Sequence, residues 1–203
     1  RVLVLGLGIG AIPNTLRAIR PEMVIDIVEI DAAVIEGAMK YANVVQDDRM
    51  HVYEADAAQF VRRPDRQSYY DVVILDCFDP EGIPAVFHAK EFYENAVACL
   101  RPQGVFSTNL IWTLKEAPEI KDHLRECLAA PLSIYNSSES NCAIFGRAVA
   151  DPAGPLVLDD VMHAAQAVDA ENVLPYFLEP QVKRAAPLFV SKTARRVPSG
   201  VEA

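Results

Sequence analysis

The chain opens on an unbroken apolar run, Val2-Leu3-Val4-Leu5, and then places glycine at every second position, Gly6, Gly8 and Gly10. A short continuous apolar run halted by turn residues reads as a strand covered on both faces. The same signature returns at residues 23–30 and 71–76, and an alternating version occupies residues 50–55. Between these runs the spacing of apolar positions becomes helical. Residues 12–19 read as a helix closed by Arg20-Pro21. Residues 32–42 read as a second, with Asp31 as N-cap and Val34, Ile35, Ala38 and Met39 on its inner face. A short helix carries Phe60 and Val61, and residues 89–100 predict another that buries Phe92, Ala96, Val97 and Leu100. Arg101-Pro102-Gln103-Gly104 ends it and launches a strand over residues 105–111. A helix over residues 114–128 leads to two short strands, 132–135 and 142–145. The polar residues between these strands join them as a hairpin at a sheet edge.

Strands alternating with helices predict an α/β fold, a Rossmann-like and mostly parallel sheet with an antiparallel C-terminal hairpin and helices on both faces. Residues 1–150 form its core. Residues 151–190 supply one or two helices packed on the same domain, and residues 191–203 are polar enough to form a flexible tail.

Composition narrows the function. A formal charge of −9 over 203 residues argues against nucleic acid as a partner. No apolar run approaches the roughly 18 residues of a membrane span, so no membrane partner is expected. Cys77, Cys99, Cys127 and Cys142 are scattered, without a C-x-x-C pair, which predicts reduced thiols in a cytoplasmic protein and no metal site. A first residue other than Met predicts a trimmed chain, whose preceding segment could carry part of a substrate site.

The chemistry gathers where strands end. A glycine turn leading from a strand into a helix offers free backbone N–H groups to an anion. Glu29 follows Gly6 by about 20 residues, the distance at which a carboxylate meets a ribose. Asp56 closes the third strand and suits an exocyclic adenine amine, while Asp76 and Asp79 close the fourth. Each acid alone reads equally well as a helix cap, and Asp79-Pro80 as a turn initiator. Gly6-x-Gly8-x-x-Ala11 also satisfies a dinucleotide fingerprint, so a nicotinamide enzyme competes.

The motifs Val28-Glu29-Ile30-Asp31, Ala55-Asp56-Ala57, Asp76-Cys77-Phe78-Asp79-Pro80, Glu91-Phe92-Tyr93 and Leu100-Arg101-Pro102-Gln103-Gly104 occur together in this chain. In that combination the chain resembles the spermidine synthase family and its methyltransferase-like relatives, over about residues 1–150. The resemblance implies a seven-stranded Rossmann-like sheet that binds S-adenosylmethionine or its decarboxylated form, with no metal. It implies Gly6, Gly8 and Gly10 beside the donor's tail, Glu29 on the ribose, and Asp56 with Ala57 at the adenine. It makes Asp79 the base for the attacking amine, with Asp76 holding cationic amine groups.

Three departures bear on the reaction. Aminopropyltransferases of the family carry aspartate where this chain has Ile9, and that aspartate meets the ammonium of the decarboxylated donor. Isoleucine cannot pair with an ammonium, whereas the carboxylate of intact S-adenosylmethionine can sit on the free N–H groups of the turn. Gly82-Ile83-Pro84-Ala85 replaces the family's Gly-Pro-Ala, and the family's N-terminal β-hairpin region is absent. These differences favour methyl transfer to an amine, on a small molecule or a protein. Aminopropyl transfer and polyamine biosynthesis form the second reading. An idle nucleoside-binding interaction module is the third, and a homodimer fits any of them. Trp112 and Tyr93 read either as walls of an acceptor pocket or as core, and His88 either as a proton shuttle near the acidic loop or as an exposed residue at a helix start.

Overall fold

The structure is a computed structural model that describes residues 1–79, 82–136 and 140–188. Five parallel strands come first: β1 (Val2–Leu5), β2 (Ile25–Glu29), β3 (Met50–Glu54), β4 (Tyr70–Leu75) and β5 (Leu100–Ile111). They are followed by β6 (Leu128–Asn136), β7 (Asn141–Ala148) and β8 (Ala186–Pro187), giving the order β3-β2-β1-β4-β5-β7-β6-β8. The helices are α1 (Ala11–Ile19), α2 (Ala32–Tyr41), α3 (Ala57–Phe60), α4 (Lys90–Ala98), α5 (Ala117–Cys127), α6 (Leu158–Glu171) and α7 (Glu179–Val182).

The apolar run of β1 is wholly buried because it feeds two cores at once. Leu3 and Leu5 join a larger core with Phe60 of α3, Tyr93 and Ala96 of α4, and Ile120 and Leu124 of α5. Val2 and Val4 join a smaller one on the opposite face, against Ile12, Leu16, Val34 and Met39 of α1 and α2. Alternate residues of one strand thus cement both helix layers. Chain order reverses between β1 and β4, which opens a crevice at the carboxyl ends of these two strands.

The seven expected strands are present, and the structure extends them. β6 begins at Leu128 because Ala130 adopts a left-handed conformation (φ 41°). That bulge lets Leu128 and Ala129 pair with Ala148 and Arg147 ahead of the regular ladder. The hairpin does not end the sheet: β7 lies between β5 and β6, and β8 adds Ala186 and Pro187 to the outer side of β6. Residues 101–104, read as a turn, form the irregular start of β5, with Gln103 at φ 69° and its N–H donating to Asp151 Oδ2 at 2.5 Å. α4 starts at Lys90, behind a 3-10 turn over Ala85–His88. A guanidinium–carboxylate fork from Arg20 to Glu171 (2.6 and 2.7 Å) ties α6 to the end of α1. The expected tail over residues 191–203 lies outside the described residues.

Candidate functional site

The site begins where β1 ends against β4. Gly6 donates its N–H to Val28 O (2.8 Å), and Asp76 donates its own to Leu5 O (2.9 Å). A β-carbon on Gly6 would lie 2.4 Å from the Asp76 carbonyl oxygen and 3.1 Å from Cys77 Sγ, at φ 96°. Glycine is required there for close approach as much as for conformation. Gly10 lies as close to a neighbour, its absent β-carbon 2.2 Å from Val44 Cγ2. Gly8 alone of the three faces open space. Among the described residues the N–H groups of Gly8 and Ile9 meet no acceptor, whereas those of Leu7 and Gly10 are bound to Glu29 and to Leu7 O.

Glu29 is held by three backbone donors, Leu7 N–H (3.0 Å) at Oε2 and Ile30 and Asp31 N–H (2.9 and 3.1 Å) at Oε1. These bonds fix the carboxylate beside the glycine turn and leave it lone pairs for further donors. Asp56 is a helix cap, as one reading expected, accepting the Ala58 N–H at Oδ1 (2.7 Å). Its Oδ2 makes no hydrogen bond among the described residues, so capping does not exhaust the side chain. Ala57 is buried as the first residue of α3. Asp76 Oδ1 accepts from Asn109 Nδ2 at 3.1 Å. Sequence reasoning missed Asn109; the available signal was an amide breaking the apolar β5 run close to its carboxyl end. Asp79 and Gly82 exchange backbone hydrogen bonds (3.0 and 3.1 Å), and the Asp79 side chain is exposed.

Cys77 records how closely the acids converge. Burial, and then the charges of Glu29, Asp76 and Asp56, push its thiol up to about 12. A buried acid with a raised pKa keeps its proton, so the chain's stability is unaffected by this thiol below its ordinary value near 9 and falls as pH climbs toward 12. Iodoacetamide at pH 8 is therefore expected to leave Cys77 unmodified in the native chain and to label it in urea. Mass spectrometry distinguishes the two, and rapid native labelling would contradict this environment.

Other candidates settle differently. Tyr93 is core, with its hydroxyl on Phe87 O at 2.8 Å. His88 is not an exposed helix-start residue: the 3-10 turn half-buries it, and Nε2 lies 2.9 Å from Ile83 O. A cavity of about 10 Å³, touching Cys77, Phe78, Ile83 and Asn109, has room for one water. A groove of about 550 Å³ lies at the opposite end of the sheet, against Ser68, Leu100, Arg101 and Val149. Among the described residues no cluster of His, Cys, Asp and Glu is arranged to hold a metal ion, and no helix is long and apolar enough to cross a membrane.

A rim of acceptor-only carboxylates beside two free backbone N–H groups can hold hydroxyls, amines and a cation on one side and an anionic tail on the other. The spermine/spermidine synthase domain model matches residues 1–137. The chain belongs to that family. This spermidine-synthase-like chain is 34% identical over 116 residues to the polyamine aminopropyltransferase of Vibrio vulnificus, covering 57% of itself and 39% of that protein. It is 35% identical over 119 residues to the eEF1A lysine and N-terminal methyltransferase of Bos taurus, covering 54% of itself and 17% of that protein. The chain therefore spans less than half the length of either curated relative. Among solved structures, human methyltransferase-like protein 13 in complex with SAH superposes with a TM-score of 0.75 and 27% identity. That match covers 86% of this chain and 82% of the other. These relatives are transferases, of aminopropyl groups in one case and of methyl groups in the others.

Proposed function

We propose that this spermidine-synthase-like chain transfers a methyl group from S-adenosylmethionine to an amine. The observation that carries this choice is Ile9, which stands at the tip of the glycine turn with 78% of its surface exposed. A decarboxylated donor brings an ammonium to that tip, and an isoleucine leaves it without a counter-charge. The intact donor brings a carboxylate as well, for which the N–H groups of Gly8 and Ile9 are available at the start of α1. In this reading Glu29 accepts both ribose hydroxyls, and the Oδ2 of Asp56, which has no hydrogen bond among the described residues, accepts from an adenine amine.

The sulfonium supplies an already activated methyl, so the residues of the chain have mainly to align and desolvate. Asp76, steadied by Asn109, and Asp79 are the carboxylates that would hold the acceptor nitrogen and take its proton. Thermal unfolding with S-adenosylmethionine, its decarboxylated form, methylthioadenosine and NAD tests this reading. S-adenosylmethionine at 100 times its dissociation constant is expected to add about 2.7 kcal/mol. Stabilisation by the decarboxylated donor alone would favour aminopropyl transfer, and by NAD alone would remove the sulfonium donor.

A further inference from the structure

Five lysines lie among the described residues, and their surroundings differ. Lys90 reaches Glu94 and Glu126 (3.3 and 2.7 Å), Lys115 reaches Glu116 (3.4 Å), and Lys183 reaches Glu179 (2.7 Å). A carboxylate favours the charged ammonium, and the bonds to Glu126 and Glu94 push Lys90 up accordingly. Lys40 stands over the Tyr41 ring on an exposed part of α2.

Lys121 is unlike these four. It is half-buried on α5 and forms no ion pair among the described residues. Its Nζ donates to Tyr135 Oη at 3.3 Å and lies 5.2 Å from the centroid of that ring. Arg125, one turn further along the same face of α5, adds a like charge. Burial first, and then Arg125, hold the Lys121 ammonium below its ordinary range, and Cys142 of β7 offsets only part of this. An amine so placed yields its proton more readily than its fellows and becomes a nucleophile.

The same surroundings suit an anion better than a cation. Arg125 spends Nε on Leu188 O (3.1 Å) and one terminal nitrogen on Asp122 (2.6 Å), while its other terminal nitrogen has no partner among the described residues. Burial, and then Cys142, push the Tyr135 phenol up to about 12, so it keeps a proton to donate. Tyr135 is 38% exposed, and its contact with Lys121 is open to solvent, so a small molecule can reach the amine. Tyr135 pairs with Cys142, and Cys142 with Leu110, which sets the group two strands out from β5 and apart from Asp76.

We propose that Lys121 binds carbon dioxide as an Nζ-carbamate, held by Arg125 and by the Tyr135 hydroxyl. The lone pair of the neutral amine forms the N–C bond, one C–O π pair moves onto oxygen, and the nitrogen releases a proton to solvent. No oxidant or further reactant is consumed. A like-charged pair one turn apart on α5 becomes an oppositely charged one. The site is independent of the transferase reading above.

The full chain is held near pH 8 in isotopically labelled bicarbonate, which supplies dissolved carbon dioxide, and is then treated with triethyloxonium. That reagent converts a carbamate to a stable ethyl ester, which peptide mass spectrometry locates. Lys121 is expected to carry most of the label and Lys40 little. Tyr135→Phe, which keeps the ring and loses the hydroxyl, is expected to lower the label on Lys121 about fivefold, as the loss of one hydrogen bond would. Bicarbonate is also expected to raise the melting temperature of the wild-type chain above that in sodium chloride of equal ionic strength, and not that of Lys121→Arg. Label no greater on Lys121 than on Lys40, an undiminished label in Tyr135→Phe, or an equal rise in melting temperature for Lys121→Arg would each overturn the proposal.

Discussion

Gly6→Ala is expected to lower the stability of the chain by about 2–6 kcal/mol and to abolish donor binding. Two separate costs add. A left-handed backbone conformation costs a non-glycine residue about 1–3 kcal/mol. The new methyl group would also lie 2.4 Å from the Asp76 carbonyl oxygen, a backbone atom that moves only if β1 and β4 separate. Overpacking of that kind adds about 1–3 kcal/mol. For a chain of 203 residues this corresponds to a melting temperature lower by about 10 °C. Gly8→Ala is the control, because its β-carbon meets nothing within 4 Å and only the positive φ is penalised. Equal melting temperatures for the two variants would refute the close contact at Gly6.

The second large effect lies beneath α3, where the side chain of Asp26 is almost completely buried in β2. Asp26 accepts from Tyr70 Oη at 2.8 Å and lies 2.8 Å from His51 Nδ1 and 3.1 Å from a terminal nitrogen of Arg66. Arg66 in turn stands over the rings of Phe60, Tyr53 and Tyr69, at 5.2, 5.4 and 5.5 Å from their centroids. Burial and the Asp26 charge push the Tyr70 phenol well above its ordinary value, so it remains a donor to the carboxylate. Asp26→Ala leaves a mostly buried guanidinium with only the exposed carboxylate of Asp65, 3.2 Å from its Nε, and for the lost buried partner about 3–5 kcal/mol is expected. Replacing both partners, Asp26→Leu with Arg66→Met, is expected to recover much of that loss. Urea unfolding of the two single variants and the pair measures the coupling, and strict additivity would mean that the ion pair contributes nothing.

These two sites mark how far the sequence could be read. The strands β1, β2 and β4 were legible because each is a mostly apolar run, and Glu29, Asp56 and Asp76 because each acid stands where a strand pattern stops. Local signals fail where the decisive partner is distant in the chain. Asp26 looks like a blemish in strand two, since Arg66 and Tyr70, which make it tolerable, come 40 and 44 residues later. Asn109 looks like an ordinary strand residue until Asp76 is seen beside it. β8 has only two residues, one of them proline, and exists because β6 offers it an edge. The reading of His88 failed for a similar reason, since its partner is a loop carbonyl supplied by the turn geometry around Ile83.

The contact between Gly6 and Asp76 also bears on how such a site can diversify. It joins the nucleoside end and the nitrogen end at one unyielding point, so neither strand can shift to suit a new substrate. Adjustment is left to the surface residues around the contact between Gly82 and Leu114, with Ile83 bonded to His88. On the transferase reading proposed above, substitutions around that contact would alter which amine is accepted while the donor end stays as it is. A lineage built on this chain can therefore change clients without changing currency.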